Sequence, residues 1–367
     1  MSDEARAIED FFQRRYGREA LYLPSGRTAL YLAFREWLRP GDRVLMSPVT
    51  DDVVFFVLLA AGLVPVLGPV DPRTGNLDPT AVEASVWPTL RGVLTTNLYG
   101  IPDRMDMLAQ QCRRHDLVLV EDAAHAIDSH CDGGWIGQFG MAAAYSLSKH
   151  LDVTGGVLTF AESGRRPSLA RRAAAELRDW SVPAAMGDRA WALLRTVARS
   201  TRAGRRLIRL RNRLFPRPQV RDGYRMRYET GVVRQAQREG GGLDRFDPWV
   251  RVDNDTYRTW PLRSTRRAAL RRLEAFEANR RVRLAGTRRL VETGLVPPDV
   301  PIPDEMALFR VPLFVRDRDT VRARFAARGL ALDYIYHPPL DIYAPALTER
   351  LAPSSSAAHW SRDVLPV

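Results

Sequence analysis

Short apolar runs alternate with helical patterns through residues 1–160 of this chain. A short apolar run that is bounded by turn residues and followed by a helical repeat is typical of a strand buried on both faces. The alternation therefore predicts an α/β fold with a mainly parallel sheet covered by helices. Ligand sites in such folds lie outside the carboxyl ends of the strands. The predicted strands are 43–46, 64–67, 92–96, 117–120, 142–147 and 157–160, and the predicted helices are 28–38, 52–61 and 105–115.

The 367 residues are enough for a large domain and a smaller one. We predict a large domain over 1–164 with part of 248–265, an Arg-rich and partly helical insertion over 165–247, and a small α+β domain over 266–367. The elements expected in the small domain are a helix over 268–290, a strand over 307–315, a helix over 320–328 and a strand over 332–336.

The charge is uneven, with 55 Lys and Arg residues against 43 Asp and Glu, a net +12 that falls mostly after residue 160. Because the excess lies outside the predicted sheet, we assign no nucleic-acid partner. Residues 191–215 predict a basic amphipathic helix. This helix either packs on its own domain or dimer, or contacts nucleic acid, another protein or, weakly, an anionic membrane surface.

Two cysteines without a Cys-x-x-Cys pair, and an acidic start without a secretory leader, predict a cytoplasmic protein, with peripheral membrane contact left open. No run of 18 apolar residues predicts a membrane span. We assign no metal site.

Lys149 is the only lysine in the chain, so 54 of the 55 basic residues are arginines. A guanidinium stays protonated and cannot attack a carbonyl, whereas a lysine amine can. Lys149 is therefore a candidate nucleophile. The alternative is one surface lysine left by chance in an Arg-biased sequence.

Three features follow predicted strands or precede a predicted helix. Asp122 follows strand 117–120, where it either holds a positive charge or caps the next helix. Ser25, Gly26 and Arg27 precede an apolar helix, a weak indication of a phosphate cradle made by backbone N–H groups. Ser146 lies just before Lys149. An amine, a carboxylate and a phosphate cradle together match the needs of pyridoxal 5′-phosphate (PLP).

Several segments, in order along the chain, carry a more specific likeness. They are SGRTALYL from Ser25, PGDRV from Pro40, NLDP from Asn76, NLYG from Asn97, EDAAHA from Glu121 and YHPPL from Tyr336. Together they resemble the DegT/DnrJ/EryC1/StrS family of fold-type-I PLP enzymes, best known as sugar aminotransferases. The likeness is strong over residues 20–160 and patchy beyond.

The resemblance implies roles for individual residues. Lys149 would be the Schiff-base lysine, and Asp122 the partner of the pyridine nitrogen. His125 would lie against the cofactor, unless it is simply a buried histidine on a helix face. Backbone groups of Gly26 and Arg27, beside Ser25, and the hydroxyl of Ser146 would hold the phosphate.

The resemblance also implies a homodimer that transfers an amino group, commonly from glutamate, to a keto sugar or a related precursor. Other members dehydrate sugars, so a dehydratase is an alternative. A fold-type-I scaffold that has lost catalysis and binds a membrane or a protein is another.

Departures from the family bear on these alternatives. The family usually has a stacking aromatic residue where Asp51 follows Thr50 here. The glycine-rich stretch after Lys149 is short, and the family's NYRM segment, which reaches a neighbouring subunit's site, is echoed faintly by Thr256, Tyr257 and Arg258. Family members also usually continue for another helix beyond the position of Val367. Asp51 is kept among the cofactor-binding candidates because of its position.

Overall fold

The computed structural model describes residues 2–131, 133–178, 225–252, 254–330, 332, 334–351 and 355–367. The predicted basic helix over 191–215 and much of the predicted insertion lie outside these residues. In the part of the chain that is described, no helix combines the length and apolarity needed to cross a bilayer.

A mainly parallel sheet of eight strands lies at the centre of the molecule, in the order β1-β9-β8-β5-β4-β2-β3-β11. Strand β9 runs antiparallel to β1 and β8, whereas the other pairs are parallel. The predicted α/β architecture is therefore confirmed. In chain order the strands are β1 (Glu19–Leu23), β2 (Arg43–Met46), β3 (Val64–Leu67), β4 (Gly92–Thr95), β5 (Val118–Asp122), β6 (His130–Cys131), β7 (Gly134–Trp135), β8 (Ala142–Ser146), β9 (Gly156–Phe160), β10 (Pro312–Phe314), β11 (Glu349–Arg350) and β12 (Val364–Pro366).

Helices cover both faces of this sheet. On β2, Val44 and Met46 join one buried cluster with the helices after β1 and β2, while Leu45 joins a second cluster with the first helix. This two-sided burial explains why the strands read as continuous apolar runs. The helices are α1 (Asp3–Tyr16), α2 (Gly26–Trp37), α3 (Asp52–Ala60), α4 (Met105–His115), α5 (Leu147–His150), α6 (Arg166–Glu176), α7 (Thr230–Arg238), α8 (Leu243–Val250), α9 (Arg263–Glu274), α10 (Phe276–Val291), α11 (Arg318–Ala327), α12 (Leu340–Tyr343) and α13 (Ser355–Asp363).

The C-terminal part departs from the predicted elements. The single helix expected over 268–290 is two helices, α9 and α10, separated at Ala275, where ψ is 8°. The strand expected over 307–315 is shortened to β10, which pairs with β12. The strand expected over 332–336 is absent from its described residues, and Tyr336 at its end has a φ of 63°, in the left-handed region.

The C-terminal residues also contribute to the large sheet. Strand β11 pairs in parallel with β3 at the sheet edge. Leu273 and Phe276 pack in the same buried cluster as α1, whereas Val296, Met306 and Leu365 belong to a separate small core. The division predicted at residues 164, 247 and 266 stays a prediction.

Two buried carboxylates hold loops that flank the strands. Glu121 accepts hydrogen bonds from the amides of Gly137 (2.6 Å), Phe139 (2.9 Å) and Gly140 (2.6 Å). Asp103 accepts from the amides of Leu77 (2.9 Å), Thr96 (2.9 Å) and Asn97 (2.7 Å). Buried N–H groups need partners, so these two side chains fix the loops that surround the strand ends.

We expect Glu121→Gln to lower the free energy of unfolding by roughly 1–3 kcal/mol, because the new NH₂ group would face a buried amide that needs an acceptor. The same change at Glu162, whose side chain is 41% exposed in its ion pair with Arg165, should cost less than about 1 kcal/mol. Urea unfolding at neutral pH measures the free energy of unfolding of both variants. Equal losses at the two positions would contradict the anchoring role of Glu121.

Candidate active site

The only lysine lies at the carboxyl edge of the sheet, beside the end of β5. Strands β5 and β8 are neighbours, with Asp122 opposite Ala144. Helix α5 begins directly after β8 and carries Lys149, whose side chain is exposed. The Lys149 Nζ atom lies 5.9 Å from the centroid of the Phe309 ring. The structure thus brings the predicted nucleophile and the predicted carboxylate to one edge.

Asp122 is a buried carboxyl that is held by one hydrogen bond. Its Oδ1 atom accepts a hydrogen bond of 3.0 Å from the Ala124 amide, which is the local capping interaction considered as the alternative. Among the described residues, Oδ2 accepts no hydrogen bond, so one oxygen remains for a ligand. Burial raises the pKa of Asp122 to about 7, the negative charge of Asp51 adds to this, and the positive charge of Lys149 opposes it.

Asp51 lies at the same edge, at the start of α3. Its Oδ1 atom accepts a hydrogen bond of 2.9 Å from the Val53 amide, so its side chain caps the helix. Its negative charge raises the pKa of Asp122 further. Asp51 therefore contributes a negative charge and no aromatic surface, and its contact with a cofactor stays a prediction.

His125 is a buried, neutral imidazole in a stack of rings. Its Nδ1 atom accepts a hydrogen bond of 3.3 Å from the Tyr99 amide, so the neutral ring carries its proton on Nε2. Burial lowers the pKa of His125 well below its ordinary value, and the neighbouring positive charges add to this. Its ring stacks on that of Phe309, with centroids 4.5 Å apart and planes at 17°.

The predicted phosphate cradle is partly assembled. A Cβ atom on Gly26 would lie 3.3 Å from both the Ser146 Cβ atom and the Tyr145 carbonyl oxygen, so the amino end of α2 contacts the end of β8. The Ser25 hydroxyl is engaged by the Tyr257 carbonyl (2.9 Å), and Arg27 donates to the Val250 carbonyl (2.6 Å). The side chains of Ser25 and Arg27 thus serve the fold, which leaves the backbone of α2 and the Ser146 hydroxyl as the candidate phosphate ligands.

The residues of the faint NYRM echo, Thr256, Tyr257 and Arg258, make contacts within the fold. The Tyr257 hydroxyl donates to Asp247 (2.9 Å), and Arg258 pairs with Asp244 (2.6 Å) and Glu176 (3.2 Å). These contacts tie α6, α8 and the α2 start together.

Arg225 was missed by the sequence reasoning, although Tyr224, Arg225 and Met226 spell three of the four letters of the same segment. Its side chain is fully buried, and it donates to the carbonyls of Thr50 (2.7 Å) and Pro338 (2.8 Å). Its guanidinium carbon lies 5.9 Å from the ring centroid of Tyr336. The described residues place no carboxylate within 4 Å of it.

Aromatic residues at the site were also missed. Tyr99 and Tyr336 stack with centroids 6.1 Å apart, and Tyr336 lies 6.5 Å from His125. Both tyrosines have a positive φ, 59° and 63°. Phe309 belongs to no motif, so only the fold reveals its place beside Lys149.

Residues 3–168 match the model of the DegT/DnrJ/EryC1/StrS aminotransferase family. This part of the chain is similar to that family. The match includes Lys149, Asp122, His125 and the cradle residues, so the resemblance drawn from the motifs is confirmed.

Curated relatives align with the same region. The GDP-perosamine synthase of Caulobacter vibrioides is 34% identical over 146 residues, which cover 39% of this chain and 39% of that protein. The dTDP-3-amino-3,4,6-trideoxy-alpha-D-glucose transaminase of Streptomyces venezuelae is 38% identical over 131 residues, covering 35% of this chain and 34% of that protein. The chain therefore matches little more than a third of the length of these relatives.

Solved structures extend the likeness to the whole chain. A DegT DnrJ EryC1 StrS aminotransferase from Brucella abortus has a TM-score of 0.68 at 18% identity, covering 100% of this chain and 85% of that one. A GDP-4-keto-6-deoxymannose-3-dehydratase has a TM-score of 0.67 at 16% identity, covering 100% of this chain and 88% of that one. These matches confirm the fold-type-I architecture.

The residues present fit PLP. Asp122 has a carboxylate oxygen that accepts no hydrogen bond among the described residues, Lys149 has an exposed amine, and a Cβ atom on Gly26 would crowd Ser146 at 3.3 Å, so the cradle is closely packed. No group of three His, Cys, Asp or Glu side chains in the described ranges is arranged to hold a metal ion.

The raised pKa of Asp122 makes stability depend on pH. Between about pH 4 and 7 the unfolded chain releases this proton while the folded protein keeps it, so cofactor-free protein should lose stability as the pH rises. Asp122→Asn should reduce that loss and be more stable than the wild type at pH 8 by a few kcal/mol, at about 1.4 kcal/mol per unit of pKa shift.

Urea unfolding at pH 5 and pH 8 tests this expectation. Asp52 and Asp103, whose pKa values burial raises to about 7 and about 6, leave a residual slope in the variant. The exposed Asp106→Asn change is the matched control. An unaltered slope in Asp122→Asn would show that its carboxyl ionises freely in the folded protein.

Proposed function

We propose that this protein is a PLP-dependent aminotransferase that acts on a keto sugar, nucleotide-linked or a related natural-product or cell-surface precursor. The observation that carries the proposal is the single side-chain amine of Lys149 at the end of β8, next to the buried Asp122 carboxyl at the end of β5. An amine that can form a covalent bond and a carboxylate that can hold a protonated ring nitrogen are the two groups this chemistry requires.

The relatives support the substrate class. Their names include a perosamine synthase, a sugar-nucleotide transaminase and L-glutamine:2-deoxy-scyllo-inosose aminotransferases. These names refer to perosamine, to a dTDP-linked glucose derivative and to an inosose. We propose glutamate as the amino donor of this protein, with glutamine as the alternative that the last of these names raises.

PLP, when bound, supplies an aldehyde that carries the amino group and a ring that accepts electrons. In our proposal the Lys149 Nζ atom anchors the cofactor and, once released, takes up and returns a proton at the reacting carbon. The Asp122 carboxylate holds the ring nitrogen in its protonated form. Because an opposite charge favours ionisation, that contact would also lower the pKa of Asp122 from its value in the free protein.

In the proposal, the remaining residues of the site orient and hold the cofactor. His125 presents its Nε2–H group as a hydrogen-bond donor, since Nδ1 is occupied by the Tyr99 amide. The Ser146 hydroxyl and the first amides of α2 would bind the phosphate, where the helix dipole favours a negative charge. Homodimer formation is part of the same proposal, since Lys149 is exposed in the single chain and a partner would exclude water from it.

Reduction with borohydride tests the role of Lys149. In protein loaded with PLP, the reduced cofactor should be found at Lys149, apart from any adduct at the amino terminus, because the chain has no other lysine. Peptide mass spectrometry locates the adduct, and Lys149→Arg, which keeps the charge, is the control. Unmodified Lys149 in fully loaded and reduced protein would overturn the assignment, and failure to bind PLP would favour a non-catalytic scaffold.

Asp122→Asn tests the carboxylate during turnover. The amide keeps the shape and the hydrogen bond to Ala124 but cannot favour a protonated ring nitrogen. Cofactor binding should persist while the rate of amino transfer from glutamate falls by about 100-fold or more, by analogy with the loss of one electrostatic contact at other reacting centres. Single-turnover absorbance measures this rate, and near-wild-type values would reduce Asp122 to a capping residue.

A further inference from the structure

Phe309 occupies a fixed position at the active site although it is distant in sequence from every site motif. Its amide donates a hydrogen bond of 2.8 Å to the Tyr99 carbonyl, in the turn that also supplies the Tyr99 amide to His125. Its amide nitrogen would lie 3.4 Å from a Cβ atom built on Gly100. The backbone of Phe309 is thus held against the turn after β4, and its ring is half-buried.

The ring of Phe309 is surrounded by groups that carry or can accept a proton. It stacks on His125 at 4.5 Å, and the His150 ring centroid lies 5.5 Å away. The Lys149 Nζ atom is 5.9 Å from the ring centroid and the Arg310 guanidinium carbon 5.5 Å. The electron-rich face of an aromatic ring attracts the cationic groups of Lys149 and Arg310, whereas an aliphatic side chain of the same size would not.

The Phe309 ring also bears on the absence of the family's stacking aromatic residue after Thr50. The residue after Thr50 is Asp51, whose side chain caps α3 and offers no surface for stacking. Phe309 brings an aromatic ring to the same edge from the C-terminal part of the chain. It covers one face of His125 and stands beside the amine of Lys149.

We propose that Phe309 is the aromatic wall of this site, a positioning residue that holds the neutral His125 ring and the Lys149 amine for the cofactor. The inference rests on the proposed function for the identity of the cofactor. The packing of Phe309 on His125 is independent of that function, so the two parts can fail separately. Because the ring is partly accessible, it also offers an apolar surface to a flat or ring-shaped ligand.

The test compares Phe309→Ala with Phe11→Ala. Phe11 is also half-buried, but it packs on Phe12 and Phe276, away from the site. The first readout is the NMR titration of His125 in cofactor-free protein, assigned among the six histidines by its loss in His125→Gln. Removing the ring exposes the imidazole, so the pKa of His125 should rise towards its ordinary value of 6.5 in Phe309→Ala only.

The second readout is the affinity for PLP, measured by absorbance and by tryptophan fluorescence. The dissociation constant should rise about 10-fold in Phe309→Ala and change less than about twofold in Phe11→Ala, with Phe309→Tyr close to the wild type. Phe309→Leu, which keeps the apolar bulk, replaces the alanine variant if that does not fold, and it should weaken PLP binding in the same direction.

Equal effects of the Phe309 and Phe11 changes, or none at Phe309, would overturn the positioning role. A wild-type protein that does not bind PLP would refute the proposed function, while the His125 titration would still decide the packing of Phe309. If the pKa of His125 rises in Phe309→Ala while the affinity for PLP stays that of the wild type, the role of Phe309 as an aromatic wall for the cofactor is refuted and the proposed function stands.

Discussion

The pairing register of β5 with its neighbours is the constraint on which the site depends. Thr95 lies opposite Glu121, and Asp122 lies opposite Ala144. Successive side chains of a strand point to opposite faces, so Glu121 and Asp122 take different roles. Glu121 points to the amides of the loop that follows β7, and Asp122 points to the edge that carries Lys149. A shift of one residue would exchange the two carboxyls and separate the amine from its carboxylate.

The site collects buried ionisable groups. Asp122 is buried with a raised pKa, Asp51 adds a second carboxylate nearby, and Arg225 is fully buried with no carboxylate within 4 Å among the described residues. Burial of ionisable groups lowers stability even where a group such as Arg225 donates to backbone carbonyls, and natural proteins retain such costs mainly where a ligand is bound. The stability of the free protein is thus limited by the groups that its proposed chemistry needs.

Much of the large sheet could be predicted because its signals are local. The apolar runs at β2 and β3 and the pattern of α4 gave the observed bounds, since a strand buried on both faces is apolar throughout. Strand β1 and helix α1 were not predicted. The antiparallel direction of β9 has no local signal, because it follows from the sheet and not from the residues of the strand.

Site residues could be predicted where a motif directly follows a strand, as at Asp122 and Lys149. They could not be predicted where the tertiary fold brings in residues from distant parts of the chain. Phe309 is far from His125 in the sequence but stacks on its ring in the fold. Ala275 separates two helices, and no proline or glycine indicates this break. The fuller match to the NYRM segment at Arg225 and Met226, after a long basic stretch, was overlooked beside the fainter echo at residues 256–258.

The exposure of Lys149 on the short helix α5 has a practical consequence for proteolysis. An endoprotease specific for lysine has one bond to cleave in this chain, between Lys149 and His150. Any group covalently held on that amine removes the only recognition element. The uncleaved fraction of a complete digest, run under denaturing conditions after the bond to the amine is made permanent, therefore counts the molecules whose amine was occupied.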